Sequence, residues 1–241
     1  MIVYDQTLGC RWYNTLTGQI GGQWGATGQA STADMFLFDH SKISGNGQYV
    51  RFDKGLSKGN PGFYIWDLAT LNVQACYTYD GPRCSGYGAL GLDSYINEPG
   101  ITDEMNTYRR PLDDLTAWTQ LINPLPLPHY WGMELNFAWN DGRVNTDLPV
   151  CGTAYNHTGN PAVTQPYDGE VFCIETDGLA STVWRFAHNR SVWDEEYFWT
   201  QPLGNLSLDG HWFAFTSGWD NQVGNTEDGD PRTDVWIVEL D

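Results

Sequence analysis

The stretch Ser207-Leu208-Asp209-Gly210-His211-Trp212-Phe213-Ala214-Phe215 has a position-for-position counterpart in Ser44-Gly45-Asn46-Gly47-Gln48-Tyr49-Val50-Arg51-Phe52. Each opens on serine, turns over Asp or Asn followed by Gly, and leaves as an alternating strand rich in aromatic side chains. Asp-Gly and Asn-Gly are hairpin-type turn pairs. A second strand of the same grammar follows each hairpin, "FYIWDLAT" at 63–70 and "DVWIVELD" at 234–241. The insert before it is longer in the second copy, as expected of variable loops on a fixed scaffold. A hairpin unit used twice constrains the chain to a repeat architecture.

Weaker echoes fill the space between the two copies. "CRWYNTLTGQIGGQW" (10–24), "IWDLATLNVQAC" (65–76), "TYRRPLDDLTAWTQLI" (107–122) and "EVFCIETDGLASTVWRF" (170–186) each read as strand, turn, strand. Together they give about five units at a spacing of roughly 40–50 residues, the period of a four-stranded propeller blade. The fold expected is all-β: a single β-propeller domain over 1–241, with five blades of four-stranded antiparallel sheets, or a part of a larger ring. "MIVYDQTLGC" is expected to complete the C-terminal blade and leave no open edge. Only 17% of residues are charged, against 27 Gly, 12 Trp and 13 Tyr, which suits strands and turns better than helices. No helical period runs long enough to anchor a bundle.

The net charge is −18, and lysine occurs only at 42, 54 and 58. Such a surface repels nucleic acid and anionic membranes, so neither is expected as a partner. It keeps an extracellular protein soluble, or suits a salty habitat. No apolar run is long enough to span a bilayer, and Met1 is not followed by a basic, apolar export signal. The five cysteines (10, 76, 84, 151 and 173) fit no zinc spacing. They read either as two disulfides, Cys76–Cys84 and Cys151–Cys173 with Cys10 single, or as ordinary small core residues.

The two hairpins with their following strands resemble the repeats of TolB-type, WD40-like propellers. Most of the chain, through "VWRFAHNRS" and the final "TSGW…DVWIVEL", is similar to uncharacterised secreted bacterial propeller proteins. Oligogalacturonate lyases are more distant relatives of the same type. The resemblance implies a secreted or periplasmic protein; no export signal is present in this chain, which either lacks it or never had one. It is specific for fold and nearly silent on function, since propellers host hydrolases, lyases and binding platforms alike.

Three segments are candidates for chemistry. In "VWRFAHNRS" (183–191) a strand with aromatic residues at its inward positions runs into His188, Asn189 and Arg190. His188 there is a base or metal ligand and Arg190 a carboxylate binder, or both simply hydrogen-bond neighbouring blades. In "NFAWNDGR" (136–143), Trp139, Asn140 and Asp141 make a sugar-binding edge of aromatic platform and polar groups, or else a core tryptophan and a turn. His129 and Glu134 lie close in sequence, and Asp141 with Glu134 or Glu195 from another blade is a candidate carboxylate pair for glycoside hydrolysis. In "GNTEDGDPRTD" (224–234), Asp228, Asp230 and Asp234 offer oxygen ligands for Ca²⁺, or form a solvated acidic loop. The five histidines are scattered, so the lyase metal site does not carry over residue by residue. The function expected is a platform binding a glycan or protein ligand. The alternative is a carbohydrate-active enzyme, hydrolase or lyase, with its site on one propeller face.

Overall fold

The structure, a computed structural model, describes residues 2–5, 9–24, 41–53, 61–77, 84, 88–97, 107–122, 131–137, 149–156, 169–177, 182–192, 197–207 and 209–240. Among them the chain is all-β, with one short 3₁₀ turn at Phe198–Thr200. Five antiparallel sheets follow one another. Sheet I holds β1 (Ile2–Asp5), β2 (Gly9–Tyr13) and β3 (Ile20–Trp24). Sheet II holds β4 (Ser41–Ile43), β5 (Tyr49–Asp53), β6 (Pro61–Asp67) and β7 (Val73–Tyr77). Sheet III holds β8 (Ala89–Leu90), β9 (Ser94–Ile96), β10 (Thr107–Pro111) and β11 (Thr119–Ile122). Sheet IV holds β12 (Trp131–Phe137), β13 (Val150–Asn156), β14 (Glu170–Ile174) and β15 (Val183–His188). Sheet V holds β16 (Gly204–Leu206), β17 (Trp212–Ser217) and β18 (Asp234–Glu239). In every sheet the spatial order of the strands is their order in the chain, the up-and-down meander of a propeller blade.

The chain divides into two compact units, Met1–Ser85 and Gly86–Asp241. In the first, Cys10 and Trp12 of sheet I pack on Val50, Phe52, Tyr64 and Trp66 of sheet II. In the second, sheet IV is covered on both faces. Val150, Ala154, Phe172 and Ile174 meet Ala89, Ile96 and Leu121 of sheet III. Cys151, Val171 and Cys173 meet Leu206, Phe213 and Phe215 of sheet V. Strand alternation produces both layers, since successive side chains leave opposite faces.

The two hairpins that announce the repeat are built alike down to single atoms. The Ser44 hydroxyl donates to Asn46 Oδ1 at 2.7 Å and accepts the Tyr49 N–H at 2.8 Å. The Ser207 hydroxyl does the same with Asp209 at 2.5 Å and Trp212 at 3.0 Å. Gly47 and Gly210 close the turns at φ +70° and +78°, where a side chain would be strained. The register also agrees: Arg51 pairs with Ile65 as Ala214 pairs with Ile237, and Val50 with Trp66 as Phe213 with Val238.

Two expectations are corrected. β1 pairs with β2, Ile2 opposite Trp12, instead of completing the C-terminal sheet, which among the described residues has three strands. A hairpin over a three-residue connection closes at far lower entropic cost than a pairing across the whole chain. The β15 aromatics do not all point inward either. A register shift between Val171 and Phe172 leaves Phe186 without a partner opposite, so Phe186 and Ala187 both pack on the core while Trp184 is exposed.

Both cross-links read as one alternative in the sequence are present, Cys76–Cys84 and Cys151–Cys173. The second joins residues directly opposite on β13 and β14. Cys10 is the free thiol among the described residues; burial pushes its pKa up to about 11, so it stays protonated and packs as an apolar group.

Candidate functional site

The polar cluster at the end of β15 separates into three side chains with different surroundings. Asn189 is buried. Its amide donates to the Ala154 carbonyl at 2.7 Å and its Oδ1 accepts the Ser191 N–H at 3.0 Å, which pins the strand exit to β13. His188 is exposed. Arg190, with φ +53°, reaches across to the loop between β17 and β18, where its Nε donates to Asp220 Oδ2 at 3.0 Å. Its backbone carbonyl accepts the Asp220 N–H at 2.8 Å, so one residue grips the loop twice.

That loop carries an unusual backbone. Trp219, Asp220 and Asn221 have φ of +47°, +57° and +61°, three consecutive left-handed residues with no glycine among them. Side chains crowd the following carbonyl in this conformation at about 1–2 kcal/mol per residue, less for Asp and Asn, so surrounding contacts must hold it. They are visible. The Trp219 N–H donates to the buried Ser217 hydroxyl at 2.9 Å. The Trp219 ring stacks on Trp236 at 4.2 Å between centroids, and the Arg190 guanidinium lies 5.6 Å from the Trp219 centroid. The Trp236 indole in turn donates to the Ser217 carbonyl at 3.2 Å.

Further aromatic surface lies beside the same loop. Trp199 is exposed, stands edge-on to Tyr197 at 5.2 Å, and donates from its indole to the Pro231 carbonyl at 3.3 Å. At the 219–221 turn the chain presents a guanidinium–carboxylate pair, the exposed Asn221 and the stacked indoles of Trp219 and Trp236. Arg190 and Asp220 are 44% and 40% exposed at their side chains, so both ions keep part of their hydration and can exchange it for ligand hydroxyls.

Trp139, Asn140 and Asp141 lie outside the described residues, as do His129 and Glu195. Glu134 lies on β12. In the acidic segment, Thr226 and Asp230 close a turn through backbone bonds, with the Thr226 N–H donating to the Asp230 carbonyl at 2.8 Å. Asp228 is exposed, and Asp234 accepts both Arg232 Nε and Nη2, at 2.9 and 2.8 Å. Among the described residues no group of three or more His, Cys, Asp or Glu side chains is arranged to hold a metal ion.

A second surface was not anticipated from the sequence. The side of sheet V turned away from sheet IV carries Trp212, Val235 and Ile237 at 45%, 69% and 67% exposure. A cavity of about 510 Å³ opens there, lined by Asn205, Leu206, Ser207, Trp212, Ala214 and Ile237. The alternation of β17 and β18 was legible, but not which of its two apolar faces would be covered.

No protein-family model matches the chain, and no curated protein matches it. Among solved structures, TolB from Acinetobacter baumannii is similar at 12% identity and a TM-score of 0.49 over 99% of this chain and 49% of that one. A structure described as putative TolB from Agrobacterium tumefaciens is similar at 18% identity and 0.47, over 85% and 58%. Oligogalacturonate lyase from Vibrio parahaemolyticus is similar at 10% identity and 0.30, over 96% and 83%. The chain thus spans about half the length of the two TolB structures it resembles.

Proposed function

We propose that the chain is a binding platform built of propeller blades, the five sheets belonging to one domain over 1–241, and that it takes a glycan at the loop cluster of Arg190, Trp219, Asp220 and Asn221. The strained turn at 219–221 carries this reading. Left-handed residues other than glycine persist where surrounding contacts over-determine them, and such sites cluster at ligand clamps. A partly hydrated ion pair beside an amide and indole rings offers hydroxyl groups both donors and acceptors, with an apolar surface for the sugar's C–H face.

The two disulfides support a secreted or periplasmic location, since thiols are kept reduced in the cytosol. No helix among the described residues is long and apolar enough to cross a membrane.

The test is a panel of neutral and acidic oligosaccharides, titrated calorimetrically into the parent chain and into Arg190→Ala and Asp220→Asn. Affinity for the preferred glycan should fall about tenfold or more, equivalent to roughly 1–3 kcal/mol. The melting temperature should move little, because an exposed ion pair contributes about 0.2–1 kcal/mol. Saturable binding to no glycan, or stability lost with binding intact, sinks the proposal and leaves Arg190 as a brace. Cleavage of any oligosaccharide, with or without divalent metal, would favour the enzyme reading instead.

A further inference from the structure

The internal repeat supplies its own control for sheet V. Register places Ile237 where sheet II has Ile65, Val235 where it has Phe63, and Ala214 where it has Arg51. The sheet II residues are 1%, 0% and 0% exposed. In sheet V the same face of the same unit leaves Ile237 and Val235 two-thirds exposed, beside the cavity bordered by Trp212. In sheet IV both apolar faces are covered by another sheet. The outer face of sheet V therefore has the construction of a packed face and no cover among the described residues. Contiguous exposed apolar surface of this kind marks an interaction site.

Charge selects the occupant. Residues 197–240 contain seven carboxylates against one arginine and no lysine. Glu239 sits opposite Trp212 at one end of the apolar stripe, and Asp209 lies in the adjoining turn. A second copy of this chain would bring −18 against −18. We infer that the outer face of β16–β18 docks a basic, strand-forming segment of a partner protein, its alternate apolar side chains entering the cavity of Leu206, Trp212, Ala214 and Ile237 while flanking Lys or Arg residues meet Glu239 and Asp209. Apolar contact fixes the position and opposite charge raises the rate of encounter. The site is distinct from the glycan cluster and does not depend on it.

The probe is a fluorescently labelled peptide of alternating Leu and Lys, compared with Leu/Glu and Ser/Lys peptides of equal length. Anisotropy should show saturable binding of the Leu/Lys peptide alone, with amide-exchange protection at 212–214 and 235–239. Ile237→Glu should weaken it at least tenfold even though the substitution adds a negative charge, which by electrostatics alone would tighten a basic peptide. Val235→Ser, which adds no charge, should weaken it in the same direction. Equal binding of the Ser/Lys peptide, or an affinity that survives both face substitutions, overturns the inference. So does a free chain that sediments as a dimer and is made monomeric by Ile237→Glu, for then a second copy is the occupant.

Discussion

Among the positions where sheets II and V differ is a packed pair whose exchange tests whether they are the same unit. An ideal Cβ built on Gly204 would lie 2.3 Å from Phe213 Cζ and 2.4 Å from its Cε1. Phe213 is fully buried against Cys151, Val171 and Cys173 of sheet IV, so its ring has no room to swing away. The corresponding positions in sheet II, diagonal to each other in the register, are Ser41 and Val50: a larger residue in place of Gly204 and a smaller one in place of Phe213. Gly204→Ser alone forces overpacking, about 1–3 kcal/mol of destabilisation. Relief of glycine's backbone entropy in a strand returns roughly 0.5–1 kcal/mol. Phe213→Val alone leaves a cavity and should cost roughly 2–3 kcal/mol, below the range of a Phe→Ala truncation. In the double variant the serine occupies part of the space the ring vacated. The two losses should therefore fall short of their sum by about 1 kcal/mol or more, where independent sites add to within about 0.5. Urea melts of the four proteins give the coupling directly. Additive losses would refute the idea that Gly204 is set by the Phe213 ring.

Other outcomes follow from the same contacts. The Ser207 hydroxyl first, and the His211 N–H next, hold the Asp209 carboxyl below the ordinary aspartate value. Its contribution is therefore complete above about pH 3.9, the unfolded value, and is lost as pH falls through the lowered folded one. The stability gap between the parent and Asp209→Asn should shrink in acid, whereas the twin turn carries Asn46 and has nothing to titrate; a gap constant down to strong acid contradicts this. Asn221→Gly relaxes a left-handed position and should raise stability by about 0.5 kcal/mol while weakening glycan binding, so a stabilised variant with undiminished affinity would separate strain from function. Replacing both Cys151 and Cys173 with alanine opens a cross-link between residues 22 apart and should cost about 2–4 kcal/mol, read as a melting temperature lower by roughly 5–15 °C.

What could be read from the sequence was set by range. The Ser-x-Asp/Asn-Gly turns act within six residues, and both formed with the bonds their side chains dictate. The strand pairs 10–24, 65–76, 107–122 and 170–186 were likewise local and all appear. The Arg190–Asp220 contact spans 30 residues and depends on three left-handed angles at Trp, Asp and Asn, which no turn rule assigns to a tryptophan. The Phe186 irregularity was hidden for a related reason, since strict alternation cannot foresee where an extra residue is absorbed. Asn189 shows the converse limit: its exposed-looking neighbours His188 and Arg190 concealed a side chain committed to the core.

The strictly consecutive strand order has a consequence for synthesis. Each sheet recruits partners only from its own stretch of chain, so none must wait for a distant segment before its backbone hydrogen bonds can form. Emerging from the ribosome at about 5–20 residues per second, sheet II has its hairpin within seconds, long before sheet V exists. Assembly of such a molecule is vectorial, and its errors are confined to faces rather than to topology. A sheet that has formed but not yet met its neighbour exposes an apolar side for just the interval needed to translate the next unit. Residues 1–85 carry six acidic and six basic side chains, so the −18 charge accrues only as residues 86–241 emerge, and it guards the later sheets while the earlier ones must rely on rapid pairing.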